Sequence, residues 1–424
     1  MSSQGNEHEA IPLAIVGCGG MGRRHLFGLK ELYDTGRSNV RLAATCDLRR
    51  ENAERLAQEA EQLLGNKPLV FQDMARMASA LPDLQAVDVV TDAGSHHVVV
   101  PTALELGFHV LCEKPLALTM RGCNRIIEAE RQQDRVLSVA ENYRRDPMSR
   151  LTRELLQEGV IGTPFVFLDI SVGGSDTIVI LPWRHYKDRG GILTDAGVHT
   201  ADLTLYYMGD VRQVYARTQL WEPMRYKPIS ESTVSDFYAP WYEEMPPSIE
   251  ATAEDTFVSV LEFEDGTIGQ WTQFYAAHGE GFSHRAIYGS EGSLCPGGTR
   301  NGQSPVLNLD GKDPITREAL LEFVPDYHLH ELSAILFGHE RPTFYDLTFP
   351  EADRKLLALE YHEFGDSILT GKEPEVDSLT GRRALAVCYA GLESGVLGRP
   401  VTVQEVEDEE VDAYQQEINA EWGI

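Results

Sequence analysis

The sequence lacks any long hydrophobic run, since none of its 424 residues lie in a stretch of about 18 consecutive apolar side chains. This absence excludes a transmembrane helix, so no membrane partner is expected. The amino-terminal segment MSSQGNEHEA is polar and lacks the apolar centre of a secretion signal. We therefore expect a cytoplasmic protein.

Cysteine is sparse and lacks the spacing of a metal site. No two of the six cysteines form a CxxC pair, and several lie inside apolar, strand-like runs. They are Cys18, Cys46, Cys112, Cys123, Cys295 and Cys388. We interpret them as reduced core residues rather than a disulfide framework or a zinc site. No metal is predicted.

Basic side chains are scarce, and lysine above all. Eight lysines and 29 arginines make up the 37 basic residues, against 66 acidic ones, for a formal net charge of −29. Nucleic acid is not expected as a partner, because its phosphates would be repelled by such a surface. Adaptation to high salt and an ordinary acidic enzyme both remain open as explanations of this composition.

A glycine-rich loop follows the first apolar run. Leu13–Val16 predicts a strand, and GCGGMG comes directly after it, with Gly17, Gly19 and Gly22 in GxGxxG spacing. Apolar residues at helical spacing follow. Gly17 would make the tight turn, Gly19 would let a pyrophosphate approach the backbone, and Gly22 would let helix and strand pack closely. The first helical N–H groups, those of Gly20 and Met21 among them, are expected to bind phosphate.

An acidic residue closes the second predicted strand. Asp47 follows RLAATC and lies 25 residues beyond Gly22. A carboxylate at this place accepts hydrogen bonds from the adenosine ribose, which favours NAD over NADP because it repels a 2′-phosphate. Arg49 and Arg50 follow at once and keep NADP open as an alternative. A turn or a helix cap is the other interpretation of Asp47.

Strands and helices alternate through the first 140 residues. The predicted strands are 13–16, 41–46, 69–71, 86–90, 110–112 and 135–140, and the clearest later helices are 51–64 and 96–106. This alternation predicts a doubly wound parallel sheet, the α/β class, with ligands at the carboxyl ends of its strands. Those ends carry Gly17–Gly22, Asp47, Thr91–His96, Glu113–Pro115 and Glu141–Asn142.

Two further motifs carry groups suited to proton transfer. Lys114, in EKP, follows the apolar strand end VLC, where it is placed to bind a substrate oxygen. Asp195 and His199 stand four residues apart in GGILTDAGVHTAD and would share one face of a helix. Histidine exchanges protons near neutral pH, and a carboxylate one turn away can orient it. An ordinary surface ion pair is the alternative.

The pattern changes near residue 143, and we expect a dinucleotide-binding domain over 1–143 and an α+β domain over 144–424. Strands are predicted at 164–170, 211–219, 256–263, 267–274 and 284–289, with a hairpin turn at Glu264–Gly266. They indicate a large, mostly antiparallel open sheet. Its exposed face predicts a homodimer or homotetramer. The stretch 221–250 is expected to be irregular, and the acidic tail after Val406 a solvated helix or disordered.

Five segments together resemble the Gfo/Idh/MocA family, named for glucose-fructose oxidoreductase and inositol dehydrogenase. They are IVGCGGMGRRH, TDAGSHHVVVPTALELGFHVLCEKPLALT, EGVIGTPFVF, WRHYKDRGGILTDAGVHTADLTLYYMGD and EFGDSILTGKEPEVDSLTGRRALAV. The resemblance covers nearly the whole chain. It implies a Rossmann domain, an antiparallel second domain that often makes oligomer contacts, and NAD(P)-dependent hydride transfer on sugars, polyols or their derivatives.

The resemblance also implies roles for particular residues. Lys114 would contact the reacting hydroxyl, His199 would be the general acid and base, and Asp195 would orient it. Cofactor-binding residues would be Gly17, Gly19, Gly20, Met21, Gly22, Asp47, Thr91, His96, Glu113, Lys114 and Asn142. Substrate-binding residues would be Arg144, Trp183, Arg184, Asp195 and His199. The family's proline after Thr91 is replaced by Asp92, so the loop on the nicotinamide side departs from the family pattern.

One segment of the chain bears on the class of substrate. The segment Trp183–Arg189 is basic and aromatic, which suits either an acidic sugar such as a uronate or ion pairs with nearby acidic residues. Two other functions fit the same family resemblance: a redox-neutral glycosidase that uses bound NAD, and a non-catalytic NAD-binding sugar sensor. The retained Lys114, Asp195 and His199 argue against the sensor.

Overall fold

The computed structural model describes residues 10–229 and 239–424. It contains two compact units that are interleaved along the chain. The first comprises Met1–Glu113, Asn124–Asn142 and Pro350–Ser378, and the second Lys114–Cys123, Tyr143–Phe349 and Leu379–Ile424. The domain ranges 1–143 and 144–424 stay predictions. Within the described ranges, no helix has both the length and the apolar character of a membrane span.

The first unit is built on a six-stranded parallel sheet. Its strands are β1 (Ile11–Val16), β2 (Val40–Cys46), β3 (Leu69–Phe71), β4 (Ala86–Val89), β5 (His109–Glu113) and β6 (Leu137–Ala140). Their spatial order is β3-β2-β1-β4-β5-β6. The connecting helices are α1 (Gly20–Asp34), α2 (Arg50–Leu64), α3 (Met74–Ala80), α4 (His96–Glu105) and α5 (Met120–Arg131).

The apolar character of these strands explains the parallel sheet. Every residue of β1, β4 and β6 is buried. Strands that are apolar on both faces need helices on both sides, which right-handed crossovers provide. The strand order reverses between β1 and β4, and in such sheets ligands bind at the carboxyl ends beside that reversal. The predicted doubly wound sheet is confirmed.

The second unit contains most of the remaining elements. In chain order they are α6 (Pro147–Gln157), β7 (Pro164–Gly174), α7 (Gly191–Asp195), α8 (Gly197–Met208), β8 (Val211–Gln219), β9 (Met224–Tyr226), α9 (Ala239–Glu244), β10 (Ser248–Glu250), β11 (Thr256–Phe263), β12 (Ile268–Ala277), β13 (Phe282–Gly289), β14 (Gly292–Cys295), β15 (Val306–Leu309), β16 (Ile315–Thr316), α10 (Glu331–Phe337), α11 (Phe349–Thr370), α12 (Ser378–Leu397), β17 (Val401–Thr402), α13 (Val403–Glu407) and α14 (Gln416–Trp422). Nearly all of α11 belongs to the first unit.

A nine-stranded mixed sheet forms the centre of the second unit. Its order is β16-β15-β14-β13-β7-β12-β11-β8-β17. Among the described strands of this sheet, β7 and β12 pair in parallel and the other neighbours pair antiparallel. The predicted hairpin joins β11 to β12. Along β11, Phe257, Leu261 and Phe263 are buried while Val258 and Val260 are exposed, so one face packs on the core. The predicted antiparallel open sheet is confirmed.

Two local expectations were wrong. The stretch 221–250 is not irregular throughout, because β9 pairs with β10 and α9 lies between them. Its Phe237 and Tyr238 lie outside the described residues. The acidic tail is neither disordered nor solvated throughout, because Tyr414 and Ile418 are buried in the second unit while the Glu417 side chain is 77% exposed. The tail has few apolar side chains among many acidic ones, so its composition did not indicate that these side chains anchor it.

Candidate active site

The glycine loop of the first unit has the geometry of a phosphate-binding turn. Gly17 adopts a positive φ of 100°, and a Cβ there would lie 2.7 Å from the Val90 carbonyl oxygen. A Cβ on Gly22 would lie 2.2 Å from the Gly17 oxygen, so close packing requires glycine at both positions. A Cβ on Gly19 would meet nothing within 4 Å, which leaves open space against the backbone.

The first turn of α1, including Gly20 and Met21, has no side-chain cap. Its N–H groups are therefore suited to an anion in that open space. Asp47 lies beside the loop, where its Oδ2 accepts the Cys18 N–H at 2.7 Å and its Oδ1 accepts the Arg49 N–H at 2.8 Å. A carboxylate has lone pairs beyond these two bonds for ribose hydroxyls. These residues fit a dinucleotide.

The other predicted cofactor residues of the first unit differ in their surroundings. Ser95 Oγ donates to Thr91 Oγ1 at 2.8 Å, and His96 is buried with Nδ1 3.5 Å from Cys112 Sγ. Asn142 is 6% exposed, and its Oδ1 has no hydrogen-bond partner among the described residues. An orphaned buried acceptor needs a ligand or water, so Asn142 also fits a cofactor. The cofactor roles of all three stay predictions.

Glu113 belongs to a buried charge cluster that the sequence analysis missed. His25 Nδ1 lies 2.9 Å from Asp88 Oδ2, and His25 Nε2 lies 3.1 Å from Glu113 Oε1. Tyr361, on α11, donates its hydroxyl to Asp88. Burial lowers the pKa of His25, but the two carboxylates outweigh it and raise that pKa to about 10. The position of His25, three residues after Gly22, is the sequence signal that was overlooked.

In the second unit, Lys114 and Asp195 form an ion pair that the sequence analysis did not predict. Lys114 Nζ donates to Asp195 Oδ1 and to the Asp195 backbone oxygen, both at 2.9 Å. Arg184 Nη2 lies 3.0 Å from the other carboxylate oxygen of Asp195. Burial raises the pKa of Asp195, yet the charges of Arg184 and Lys114 and the Lys114 hydrogen bond hold it well below its usual range. Asp195 is thus an ionised carboxylate between two cations.

His199 lies in the first turn of α8, just beyond Asp195 at the end of α7. The predicted single helix is divided at Ala196. The charge of a protonated His199 also lowers the pKa of Asp195, so the two groups interact. The His199 ring stacks on Tyr143 with centroids 4.0 Å apart and an interplanar angle of 1°. The structure therefore brings Lys114, Asp195 and His199 together, and Tyr143 is a neighbour that sequence reasoning missed.

Arg144 forms an ion pair with an acidic residue of α8. It is buried, its Nε donates to Asp202 Oδ2 at 2.9 Å, and its Nη2 donates to the other oxygen of Asp202. The two form a bidentate ion pair. Trp183 is partly buried, 5.3 Å from the guanidinium carbon of Arg184. The substrate roles of Arg144 and Trp183 stay predictions.

Much of the basic segment Trp183–Arg189 is engaged by the carboxyl-terminal tail. Lys187 Nζ lies 2.8 Å from Glu417 and 4.3 Å from the Tyr414 ring centroid. The guanidinium carbon of Arg189 lies 4.7 Å from the Trp422 ring centroid. Burial lowers the pKa of His185 to about 4, so this imidazole is neutral at pH 7. Arg184 of this segment contacts Asp195, so part of the segment's positive charge is paired within the chain.

Both parts of the chain match models of one protein family. Residues 11–141 match the family described as "Oxidoreductase family, NAD-binding Rossmann fold", and residues 149–295 match "GFO/IDH/MocA C-terminal domain". Within the described ranges, no group of three or more His, Cys, Asp or Glu side chains is placed to hold a metal ion. The fold and the glycine loop define an NAD-binding protein. The chain belongs to the Gfo/Idh/MocA oxidoreductase family.

Three relatives illustrate the similarity. D-apiose dehydrogenase of Paraburkholderia graminis is 32% identical over 48% of this chain and 52% of its own length. The chain thus spans about half the length of that relative. Myo-inositol 2-dehydrogenase of Thermotoga maritima is 25% identical over 93% of this chain and 99% of its own. A levoglucosan dehydrogenase structure with NADH and levoglucosan has TM-score 0.71 and 21% identity, covering 93% of this chain and 100% of that one.

Proposed function

We propose that the chain catalyses NAD-dependent oxidation of a secondary alcohol of a sugar or polyol. The observation that carries this proposal is the buried Lys114–Asp195 pair beside His199, in a family whose first domain binds NAD. The relatives named for D-apiose, myo-inositol and levoglucosan support the substrate class. Bound NAD would supply the hydride acceptor.

Residues of the chain itself carry out the proton transfer. In its neutral form, His199 takes the proton of the reacting hydroxyl. Lys114 donates a hydrogen bond to the same oxygen and stabilises the negative charge that develops there as the proton leaves it. Asp195 holds the Lys114 ammonium with two hydrogen bonds and supports the positive charge that His199 gains. In the reverse direction His199 returns the proton to the carbonyl oxygen.

The pairing with Arg184 also maintains this arrangement at working pH. Because the pKa of Asp195 is held well below its usual range, the carboxylate stays ionised throughout the neutral range. A protonated Asp195 would lose its attraction for Lys114, and the ammonium would then be free to leave the position that the reaction requires. Arg184 is therefore proposed to act on the proton step through Asp195, in addition to any contact with substrate.

The test is absorbance at the NADH band with the protein, NAD and a panel that includes D-apiose, myo-inositol, levoglucosan, neutral glycosides and uronates. Steady NADH formation with one or more of them is expected. NAD binding without NADH formation, but with sugar released from glycosides, would replace the dehydrogenase by the redox-neutral glycosidase. NAD binding with neither product would favour the sensor. Equal rates on matched neutral and acidic sugars would remove the uronate hypothesis.

Replacing Asp47 with alanine should weaken NAD binding about 10- to 100-fold, because the ribose would lose a charged acceptor and the loop would lose the Cys18 N–H bond. The measurement is NAD titration by calorimetry. Asp73→Ala is the matched control, since Asp73 also accepts a backbone N–H, that of Arg76 at the start of α3. Unchanged NAD affinity in Asp47→Ala would refute the ribose role.

We also propose that the chain forms a homo-oligomer through the outer face of the second unit's sheet. Tyr215, Val258, Val260, Ile268 and Tyr288 are each more than 40% exposed. Val260 pairs directly with Tyr215, and the registers place all five on one face across four strands. A patch of this composition is best covered by a second copy of itself in a closed symmetric pair.

Val260→Lys combined with Ile268→Glu should convert the oligomer to a monomer, because each change places a charge within the apolar patch. Sedimentation velocity would measure the mass in solution. Glu264→Lys, in the exposed hairpin turn beside the same strands, is the control and should leave the mass unchanged. A wild-type chain that sediments as a monomer would overturn the proposal.

A further inference from the structure

We infer that Tyr143 and Arg300 are positioning residues that hold the His199 imidazole in its working orientation. The inference rests on the proposed function of His199 as proton acceptor. It concerns contacts within the second unit and adds two residues that no motif of the sequence indicated. We do not expect either residue to contact substrate.

The first observation is the stacking of two rings. The His199 and Tyr143 rings are parallel within 1°, with centroids 4.0 Å apart. His199 stands on α8, whereas Tyr143 lies in the short turn before α6, so the contact joins separate segments of the chain. A stacked partner restricts rotation of the imidazole about its χ2 angle, which otherwise has a broad minimum. Tyr143 therefore fixes the plane in which the ring nitrogens lie.

The second observation is that Arg300 holds Tyr143. Arg300 Nη2 donates to the Tyr143 hydroxyl at 2.6 Å, and its guanidinium carbon lies 4.5 Å from the Tyr143 ring centroid. The same carbon lies 4.5 Å from the Phe349 ring centroid. A hydrogen bond and a cation–π contact together fix both the tilt and the position of the tyrosine ring.

The third observation is backbone strain at Arg300. Its φ is +59°, a left-handed conformation that a non-glycine residue adopts at a cost. The Arg300 N–H donates to Asp146 Oδ2 at 2.7 Å, and Tyr345 donates its hydroxyl to the same oxygen at 2.8 Å. Asp146 is fully buried. These bonds keep the strained residue in place, and glycine would fit the backbone better unless the guanidinium is needed.

Together these contacts form one chain of support, from Asp146 to Arg300, from Arg300 to Tyr143, and from Tyr143 to His199. Proton transfer depends on the orientation of the accepting nitrogen, and misplacement by about 1 Å can lower a rate about 100-fold. Loss of one of these contacts is therefore expected to lower turnover and to leave the affinity for NAD nearly unchanged.

Two tyrosine variants test the stack. Tyr143→Leu removes the ring, whereas Tyr143→Phe keeps the ring and loses only the hydroxyl. Relative to wild type, Tyr143→Leu should lower kcat about 10- to 100-fold with KM and NAD affinity within about threefold. Tyr143→Phe should lower kcat about threefold or less. Equal kcat in Tyr143→Leu and wild type would overturn the inference.

A pair of arginine variants separates positioning from stability. Arg300→Gly removes the guanidinium and relieves the positive φ. Arg317→Gly is the matched control, because Arg317 also has a positive φ of 54° and a cation–π contact, 4.3 Å from the Phe344 centroid. Both should keep or raise the melting temperature, but only Arg300→Gly should lower kcat, by about tenfold. An equal loss of kcat in both variants would overturn the role of Arg300.

NMR of the His199 ring protons gives a readout that needs no turnover. Stacking on Tyr143 shields these protons, so Tyr143→Leu should move them downfield while Tyr143→Phe should not. Unmoved signals in Tyr143→Leu would overturn the stack. If the wild-type protein fails to reduce NAD with every sugar and polyol of the panel, the proposed function fails. The NMR comparison then still upholds or overturns the position of His199 by itself.

Discussion

Replacing Lys114 with alanine should lower turnover about 100- to 10,000-fold, with NAD affinity changed less than about tenfold. The Lys114 side chain is 13% exposed, and its ammonium makes two hydrogen bonds to Asp195. It is therefore held ready to bind the reacting oxygen, and its effect is greatest where negative charge develops on that oxygen. Loss of this interaction in the transition state lowers kcat and kcat/KM together.

Steady-state kinetics on the best substrate of the panel, with calorimetric titration of NAD, would measure both quantities. Lys355→Ala is a matched control, since Lys355 is also a mostly buried lysine in an ion pair, 2.5 Å from Glu31 in the first unit. That variant should retain wild-type turnover. Near-normal kcat in Lys114→Ala, or an equal loss in Lys355→Ala, would contradict the proposed role of Lys114.

Stability should fall as pH rises from 7 to 10, because of the buried His25 cluster. The pKa of His25 is raised from 6.5 to about 10 in the folded chain. The protonated ring stabilises the fold fully below about pH 6.5, and this contribution is lost as pH rises through the folded pKa. The shift corresponds to a stabilisation of about 3–5 kcal/mol, most of it lost by pH 10.

Urea unfolding followed by circular dichroism at pH 7, 8, 9 and 10 would measure this loss. His25→Gln should be less stable than wild type at pH 7, since Asp88 and Glu113 would lose their cation, and its stability should vary less with pH. Tyr361→Phe is a milder variant, which removes one bond to Asp88 and should keep most of the wild-type pH dependence.

His109→Gln is the control, because His109 carries no charge between pH 7 and pH 10. Burial lowers the pKa of His109 to about 4, so the ring is already neutral at pH 7. Its replacement should leave the slope of stability between pH 7 and pH 10 unchanged. A wild-type slope equal to that of His25→Gln would show that His25 is neutral in the fold.

The sequence by itself determined the elements whose physics is local. GxGxxG after an apolar strand requires a tight turn at Gly17 and close packing at Gly22, and both positions show it. Short apolar strands that alternate with amphipathic helices form a parallel sheet, and the helices cover both of its faces. Alternating apolar residues around Glu264–Gly266 determined a hairpin, because the turn and both strands are neighbours in sequence. The candidate groups Lys114, Asp195 and His199 were likewise visible in short motifs.

Tertiary structure decided which of those groups meet. Lys114 and Asp195 are 81 residues apart, and nothing local dictates the two hydrogen bonds between them. Asp202, three residues after His199 on α8, pairs with Arg144, because a buried arginine needs a carboxylate. The spacing of residues on one helix cannot show which distant cation lies opposite.

Packing across long sequence distances also explains the remaining errors and omissions. The tail is ordered by a few buried residues such as Tyr414 and Ile418, although its composition is acidic. The His25 cluster draws Tyr361 from a helix 336 residues away in the chain. Charge, spacing and hydropathy are properties of neighbouring residues, whereas burial and its effect on ionisation depend on the whole fold. The sequence thus determined the fold class and the candidate groups, and the tertiary structure alone decided their partners and their charge.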